Sequence, residues 1–423
     1  MIGAMKNILL PSGRHCRPLL RFVLYVTTGL TVGATLACSG SGHGIVGSDN
    51  SNGPPTAPTN YRTPTGAVSC GATTAIFTLS PIALTDFFGW VPLGNMGPPG
   101  HTFPTDHQYI YINDPVSGAA RRTVNIVAPR NIIITKAHLG TVNPGAVTDY
   151  TLEFSPCAET YAQFGHVLTI SPALLAQLGA FDKFCTVYSP IPTSTVSTCE
   201  TKAVAIAVPA GTVIGTAGGD SPHSIALDFS LWDGRIPATF FANNSHFSQS
   251  GDDHFDTFHV VPASDYFAEP VKSQIATRLG SYDGKTIRTV APIGGTIGVD
   301  VVGTAMGFWF NPSQPTYPEA PHLAIAPDNV DPSRIAFSIG TSLPGWTNGL
   351  VYFTPQSGGT INRHPAQVVA DGNVYCYESP GAWSLLLKMV DATTLRLERR
   401  SPFTSCAASQ PWAFTTNAFD YKR

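Results

Sequence analysis

The stretch LGNMGPPGHTFPTDHQYIYIN, residues 93–113, decides how this chain is read. It opens with turn chemistry: Gly94-Asn95 and Gly97-Pro98-Pro99-Gly100 forbid helix and fix a loop. It then sets down His101, Asp106 and His107 within seven residues. It closes as an alternating run, with Tyr109, Tyr111 and Asn113 on one face against Ile110 and Ile112 on the other, the signature of a half-buried strand. A rigid loop that delivers two imidazoles and a carboxylate to a strand edge is a place for a metal or a bound ligand.

The composition around this stretch points the same way. Only 12% of the 423 residues are charged, while Gly (40) and Pro (36) are abundant, so short strands and turns should dominate and the fold class is all-β. A net charge of −3 with no basic stripe excludes nucleic acid as a partner.

Residues 1–38 read as a signal peptide. Lys6, Arg14, Arg17 and Arg21 form a basic start, and Phe22 to Ala37 is a weakly apolar run, shorter than the roughly 20 residues a membrane-spanning helix needs. The run ends at Leu36-Ala37-Cys38, which resembles the lipobox of bacterial lipoproteins, where the cysteine is acylated; Thr35 stands where a leucine is usual. The expectation is an exported protein, an outer-membrane or cell-surface lipoprotein anchored in the membrane through Cys38, with a periplasmic or secreted protein as the alternative. Residues 39–66 lack the apolar side chains to order themselves and read as a flexible tether. Six further cysteines in an exported chain predict disulfides. Cys185–Cys199 and Cys376–Cys406 are the local pairs, leaving Cys70–Cys157, and no CxxC spacing suggests a thiolate metal site.

Along the chain, Thr74 to Leu79 reads as the first strand, Ser171-Pro172 as the start of a short capped helix, and Pro209-Ala210-Gly211 as a turn. Ser264 to Leu279 is a longer helical candidate interrupted by Pro270. The segment from Asn243 to His259 carries His246, Asp252, Asp253, His254, Asp256 and His259, and reads as a solvated link. From residue 284 the pattern becomes eight short strands, Ile297 to Gly303 first among them, as in a small barrel or sandwich. The division is 67–262 for the first β domain, 263–283 for a helical connector and 284–423 for the second β domain. Asp300 and His322 stand isolated, and there is no phosphate loop or GxSxG elbow.

Pro209 to Gly219, followed by Ser221-Pro222-His223 and a strand holding Asp228-Phe229, resembles the glycine-turn segment and His-x-His strand of the lysostaphin-type zinc endopeptidases. Tyr161 to Val167 resembles the strand that carries that family's catalytic histidine, and His101 to Tyr111 the segment that holds a zinc-binding histidine and aspartate. The resemblance covers residues 90 to 235. It implies a hybrid β-barrel or sandwich of that type, His166 and His223 as catalytic residues, and His101, Asp106, His107 and Asp228 as ligands to zinc. Two departures stand out: Tyr111 follows His107 where an aspartate is usual, and Ala226 and Asp228 occupy the His-x-His positions. The sequence-level expectation is therefore a degenerate, non-hydrolytic module that binds envelope glycan, peptide or protein, with an active zinc metalloendopeptidase acting on cell-wall peptides as the alternative.

Overall fold

The computed structural model describes residues 63–112, 122–142, 147–191, 194–219, 225–247 and 257–423. The expected signal peptide with Cys38, most of the expected tether, and His223 lie outside those residues.

Alternation places the first strands as the sequence predicts. Ile110 and Ile112 enter the main hydrophobic core, while Tyr109 and Tyr111 pack on the opposite side with Val91 and Ala226. The strand Gln108–Tyr111 lies near one end of an antiparallel nine-stranded sheet. Eight of its strands run in spatial order Gly89–Val91, Gln108–Tyr111, Ala226–Asp233, Thr160–Val167, Val147–Cys157, Ile132–Val142, Ser194–Glu200 and Lys183–Ile191, and Ile206–Val208 also pairs with Ile132–Val142. A three-stranded sheet of Thr123–Val127, Val213–Gly218 and Thr169–Ile170 shares the same core through Val124, Ile126, Ile214 and Ile170. The all-β class is therefore seen. No described sheet closes on itself, so of the hybrid barrel or sandwich that was expected the closed barrel is not found.

The core locks the strands that matter for the site. Phe154, Phe164 and Phe229 are fully buried, with ring centroids 4.9 Å apart for Phe154–Phe164 and 4.7 Å for Phe164–Phe229. Aromatic contacts of this kind add about 0.5–1.5 kcal/mol to the area they bury. Phe229 and Phe164 face each other across neighbouring strands, as do Asp228 and Gly165 beside them. Fixing the aromatic face therefore fixes the position of Asp228.

The C-terminal part forms two four-stranded sheets. One comprises Gly307–Trp309, Leu323–Pro327, Ile335–Ile339 and Gly349–Phe353; the other Tyr375–Ser379, Trp383–Asp391, Thr394–Arg399 and Phe419–Lys422. They share a second core that includes Trp309, Phe337, Leu385 and Tyr421. A third cluster joins the two halves, with Phe103, Tyr161 and Trp232 from the large sheet's side meeting Phe308, Phe310 and Ala324.

Several local expectations change. Thr74 to Leu79 forms no strand. The amides of Ile76 and Phe77 both reach the Tyr266 carbonyl at 2.9 Å, leaving a single bridge, Phe77 to Phe267. Ile297 to Gly303 is irregular, and its place in the strand count is taken by Phe419–Lys422. The helix Pro172–Leu178 is present, although the Ser171 side chain does not cap it. The longer candidate splits at Pro270 into the 3-10 turn Ala263–Tyr266 and the short helix Val271–Ala276, because proline cannot donate the bond that would join them. The described ends of the Asn243–His259 segment are packed rather than solvated: Phe258 and His259 are buried, and His246 stacks on Phe310 at 4.0 Å.

All three expected disulfides are formed. Cys70–Cys157 closes a separation of 87 residues, for which the chain-entropy relation gives about 4 to 5 kcal/mol. A Cys70→Ala/Cys157→Ala double variant should therefore show a lower urea midpoint, with a steeper slope as the freed unfolded chain expands. An unchanged midpoint would show that this bridge does not constrain the unfolded chain.

Candidate site at the Asp228 carboxylate

The loop 94–107 is closed by its own backbone. Gly97 and His101 exchange bonds of 2.7 and 3.0 Å, the Thr105 amide donates to the Asn95 carbonyl at 2.8 Å, and the Gly94 amide donates to Thr105 at 3.1 Å. Thr102, Phe103 and Thr105 are buried, so the loop is anchored at its centre and presents His101, Asp106 and His107 at its ends.

Asp228 is the point of convergence. His107 Nε2 lies 3.6 Å from its Oδ2 and His166 Nε2 lies 3.3 Å from the same oxygen. Each imidazole is held from behind by a carboxylate: His107 Nδ1 bonds Asp106 at 2.9 Å, and His166 Nδ1 bonds Asp149 at 2.8 Å. The Tyr109 hydroxyl lies 2.9 Å from His107 Nε2. Asp228 Oδ1 is buried and has no hydrogen-bond partner among protein atoms. A carboxylate behind each imidazole fixes both its tautomer and its orientation, as around protein-bound metals.

Two backbone features make this convergence possible. His166 sits at φ 57°, in the left-handed region that non-glycine residues rarely enter. The register between neighbouring strands passes from Leu152 opposite Phe164 to Tyr150 opposite Val167, so Gly165 and His166 together oppose one residue. In an unbroken strand His166 would share the core face of Phe164. The bulge turns it toward Asp149 and Asp228 instead. Gly165 matters for a separate reason: a Cβ there would lie 3.2 Å from the Asp228 Cβ and 3.4 Å from its Oδ2. A side chain at 165 would press on the aspartate and push it back by a few tenths of an ångström, so glycine lets it lie over the neighbouring strand unhindered.

The electrostatics follow from burial against these pairings. Burial opposes protonation of His166, but Asp228 and Asp149 outweigh it and raise its pKa to about 10. Burial opposes protonation of His107 as well, and Asp228 and Asp106 hold it above the ordinary imidazole range. His101, its ring centroid 5.2 Å from that of His107, goes the other way: burial and the neighbouring His107 push it down to about 3, so it stays neutral. Burial keeps the Tyr109 phenol protonated well past neutral pH.

Four of the expected residues, His107, His166, Asp228 and Asp106, are thus brought together, with His101 beside them. Asp106 faces the back of His107, away from the shared oxygen. Ala226 lies in the same strand as Asp228, opposite Tyr111, and offers no polar group. Asp149 was missed, although its signal was available: it falls on the face opposite Tyr150, Leu152 and Phe154 in an alternating run. Among the described residues, the only three potential ligands whose donor atoms all lie within 4.8 Å of one another are Cys70, Cys157 and Glu159. Two of these sulfurs are joined in a disulfide and cannot ligate as thiolates. By the same measure the imidazoles flanking Asp228 stand wider apart than a closed metal cage. Comparison with family models, characterised proteins and solved structures finds no match to this chain.

Proposed function

We propose that this is an exported, lipid-anchored envelope protein whose Asp228 centre takes up zinc and hydrolyses amide bonds in cell-wall peptides. The observation that carries the reading is the aim of two carboxylate-backed imidazoles, His107 and His166, at one buried aspartate oxygen. Nitrogen and oxygen donors of this kind suit zinc, and the unpartnered Asp228 Oδ1 adds a further donor. His107, His166 and Asp228 would hold the ion once the imidazoles, whose hold on a proton the carboxylates strengthen, each release the Nε2 proton and close in on it. Bound zinc supplies a water whose pKa falls to about 7.

The chain's own groups do the rest. Asp106 and Asp149 keep the two Nε2 atoms aimed. The neutral His101, held at about 3 by burial and His107, offers a ring nitrogen that can accept a hydrogen bond from the substrate but does not serve as the base. The Tyr109 hydroxyl, kept protonated by burial, can donate a hydrogen bond where negative charge develops on a carbonyl oxygen. The resemblance of the His101 to Tyr111 stretch and of the Tyr161 to Val167 strand to the lysostaphin-type pattern supports the substrate class, and the lipobox-like Leu36-Ala37-Cys38 and three disulfides support the location.

A second reading, a module that binds envelope glycan, peptide or protein without hydrolysis, has its own support. The Tyr109 hydroxyl already meets His107 Nε2, and the imidazoles stand apart. One experiment separates the two. The purified mature protein, dialysed against zinc and assayed on cell-wall peptides, should bind about one equivalent. It should also release new amino termini in a chelator-sensitive manner. Zinc-free protein that retains peptidoglycan would favour the binding module.

A further inference from the structure

The loop that carries His101 and His107 is not held by the large sheet alone. Phe103, between them, enters the aromatic cluster at the seam between the two halves. Its ring centroid lies 5.0 Å from Phe308 and 5.1 Å from Phe310, and it stacks on the His322 ring at 5.5 Å with a 5° interplanar angle. That histidine is itself fixed: its Nδ1 accepts the Asn311 amide at 3.1 Å, and its Nε2 faces the Pro315 and Thr316 carbonyls at 3.0 and 3.1 Å. The Phe103 amide donates to Glu319 Oε2 at 2.9 Å, across a sequence separation of 216 residues.

We propose that Glu319, together with the aromatic seat for Phe103, is a positioning residue for the Asp228 centre, so that the C-terminal sheets set where His101 and His107 stand. Phe103 lies two residues after His101 and four before His107, and its side chain and its amide are both held from the C-terminal half. A shift of about 1 Å in a reacting group can cost about 100-fold in rate, so such an anchor governs function without touching substrate. The chemistry around Glu319 agrees with this role. Burial pushes its carboxyl up to about 8, against the pull of the Phe103 amide and with a further push from Asp106. At neutral pH it is then largely an uncharged acid that accepts the amide through its carbonyl oxygen, a role a carboxamide can reproduce.

The inference rests on the zinc reading for one of its two measurements and is independent of it for the other. In the full-length mature protein, Glu319→Ala should weaken zinc binding about 10- to 100-fold, as loss of an outer partner of a metal centre does. It should also speed hydrogen exchange at the Phe103 amide while leaving the melting temperature near that of wild type. Glu319→Gln should restore both. Glu319→Asp, which keeps the acid but shortens its reach, should behave like the alanine variant and serves if that one folds poorly. If wild type binds no zinc, the zinc reading fails and exchange at Phe103 alone decides this proposal. Wild-type zinc affinity and exchange in the alanine and aspartate variants, or failure of glutamine to rescue, would overturn it.

Discussion

An Asp228→Asn variant is expected to fold normally and to lose zinc by a factor of about 100 or more, since even outer partners of a metal centre are worth about 10- to 100-fold. The carboxylate is the one group that both imidazoles face, at 3.6 and 3.3 Å, and asparagine keeps its shape without its charge. Hydrolysis of cell-wall peptides should fall with the metal, by about two to four orders of magnitude where an acid or base is also disturbed. The same variant carries a check that needs no metal. In metal-free protein, Asp228 and Asp149 together hold His166 at about 10 against burial. With Asp228 neutralised, the His166 imidazole should titrate at a clearly lower pH in a nitrogen-resolved NMR titration. An unchanged His166 titration would mean that the aspartate does not face this ring in solution. Unchanged zinc binding would move the metal elsewhere.

A second large effect is expected in the middle of the same sheet, on the two strands next in order after the one that carries His166. Glu153 is fully buried and pairs with His138 Nε2, while Lys136 Nζ lies 3.6 Å from Glu153 and 3.7 Å from Glu200, and His138 Nδ1 lies 3.6 Å from Glu200. Removing the central charge leaves two buried cations facing one remaining carboxylate, and breaking a buried pair in this way costs about 3 to 5 kcal/mol. Glu153→Gln should therefore lower the urea midpoint markedly without touching zinc binding.

The pH dependence has a definite sign. Burial would raise the Glu153 pKa, but His138 and Lys136 outweigh it and lower it from 4.5 to about 2. Its contribution is therefore present above pH 4.5 and lost as the pH falls toward 2. Burial would lower the His138 pKa, but Glu153 outweighs it and raises it above 6.5. That contribution is present below pH 6.5 and lost as the pH rises through the raised value. The cluster is most stabilising between 4.5 and 6.5. Unfolding midpoints measured from about pH 3 to about pH 9 should show a dome in wild type that flattens in Glu153→Gln. Parallel curves for the two proteins would remove the cluster as its source.

What the sequence determined by itself was everything set by short-range chemistry. Alternation put Ile110 and Ile112 in the core and Tyr109 and Tyr111 on the site face. Glycine and proline placed the 94–100 loop and the break at Pro270, and the even set of six cysteines led to the three bridges. It also placed His107 beside Asp106 and picked out His166 and Asp228. It overpredicted strands at Thr74 to Leu79 and Ile297 to Gly303, where the apolar pattern is present but the backbone finds only a bridge or a turn. The tertiary structure alone decided that the candidates meet. His166 reaches Asp228 through a bulge and a left-handed backbone, which reverse the face that alternation assigns. Gly165 makes room for the aspartate only because the two strands are neighbours. Asp149 and Glu319 matter through partners 17 and 216 residues away, His166 and Phe103, and no local pattern encodes contacts of that span. They depend on the order of strands in the sheet and on the packing of the two halves, which arise only when the chain closes on itself.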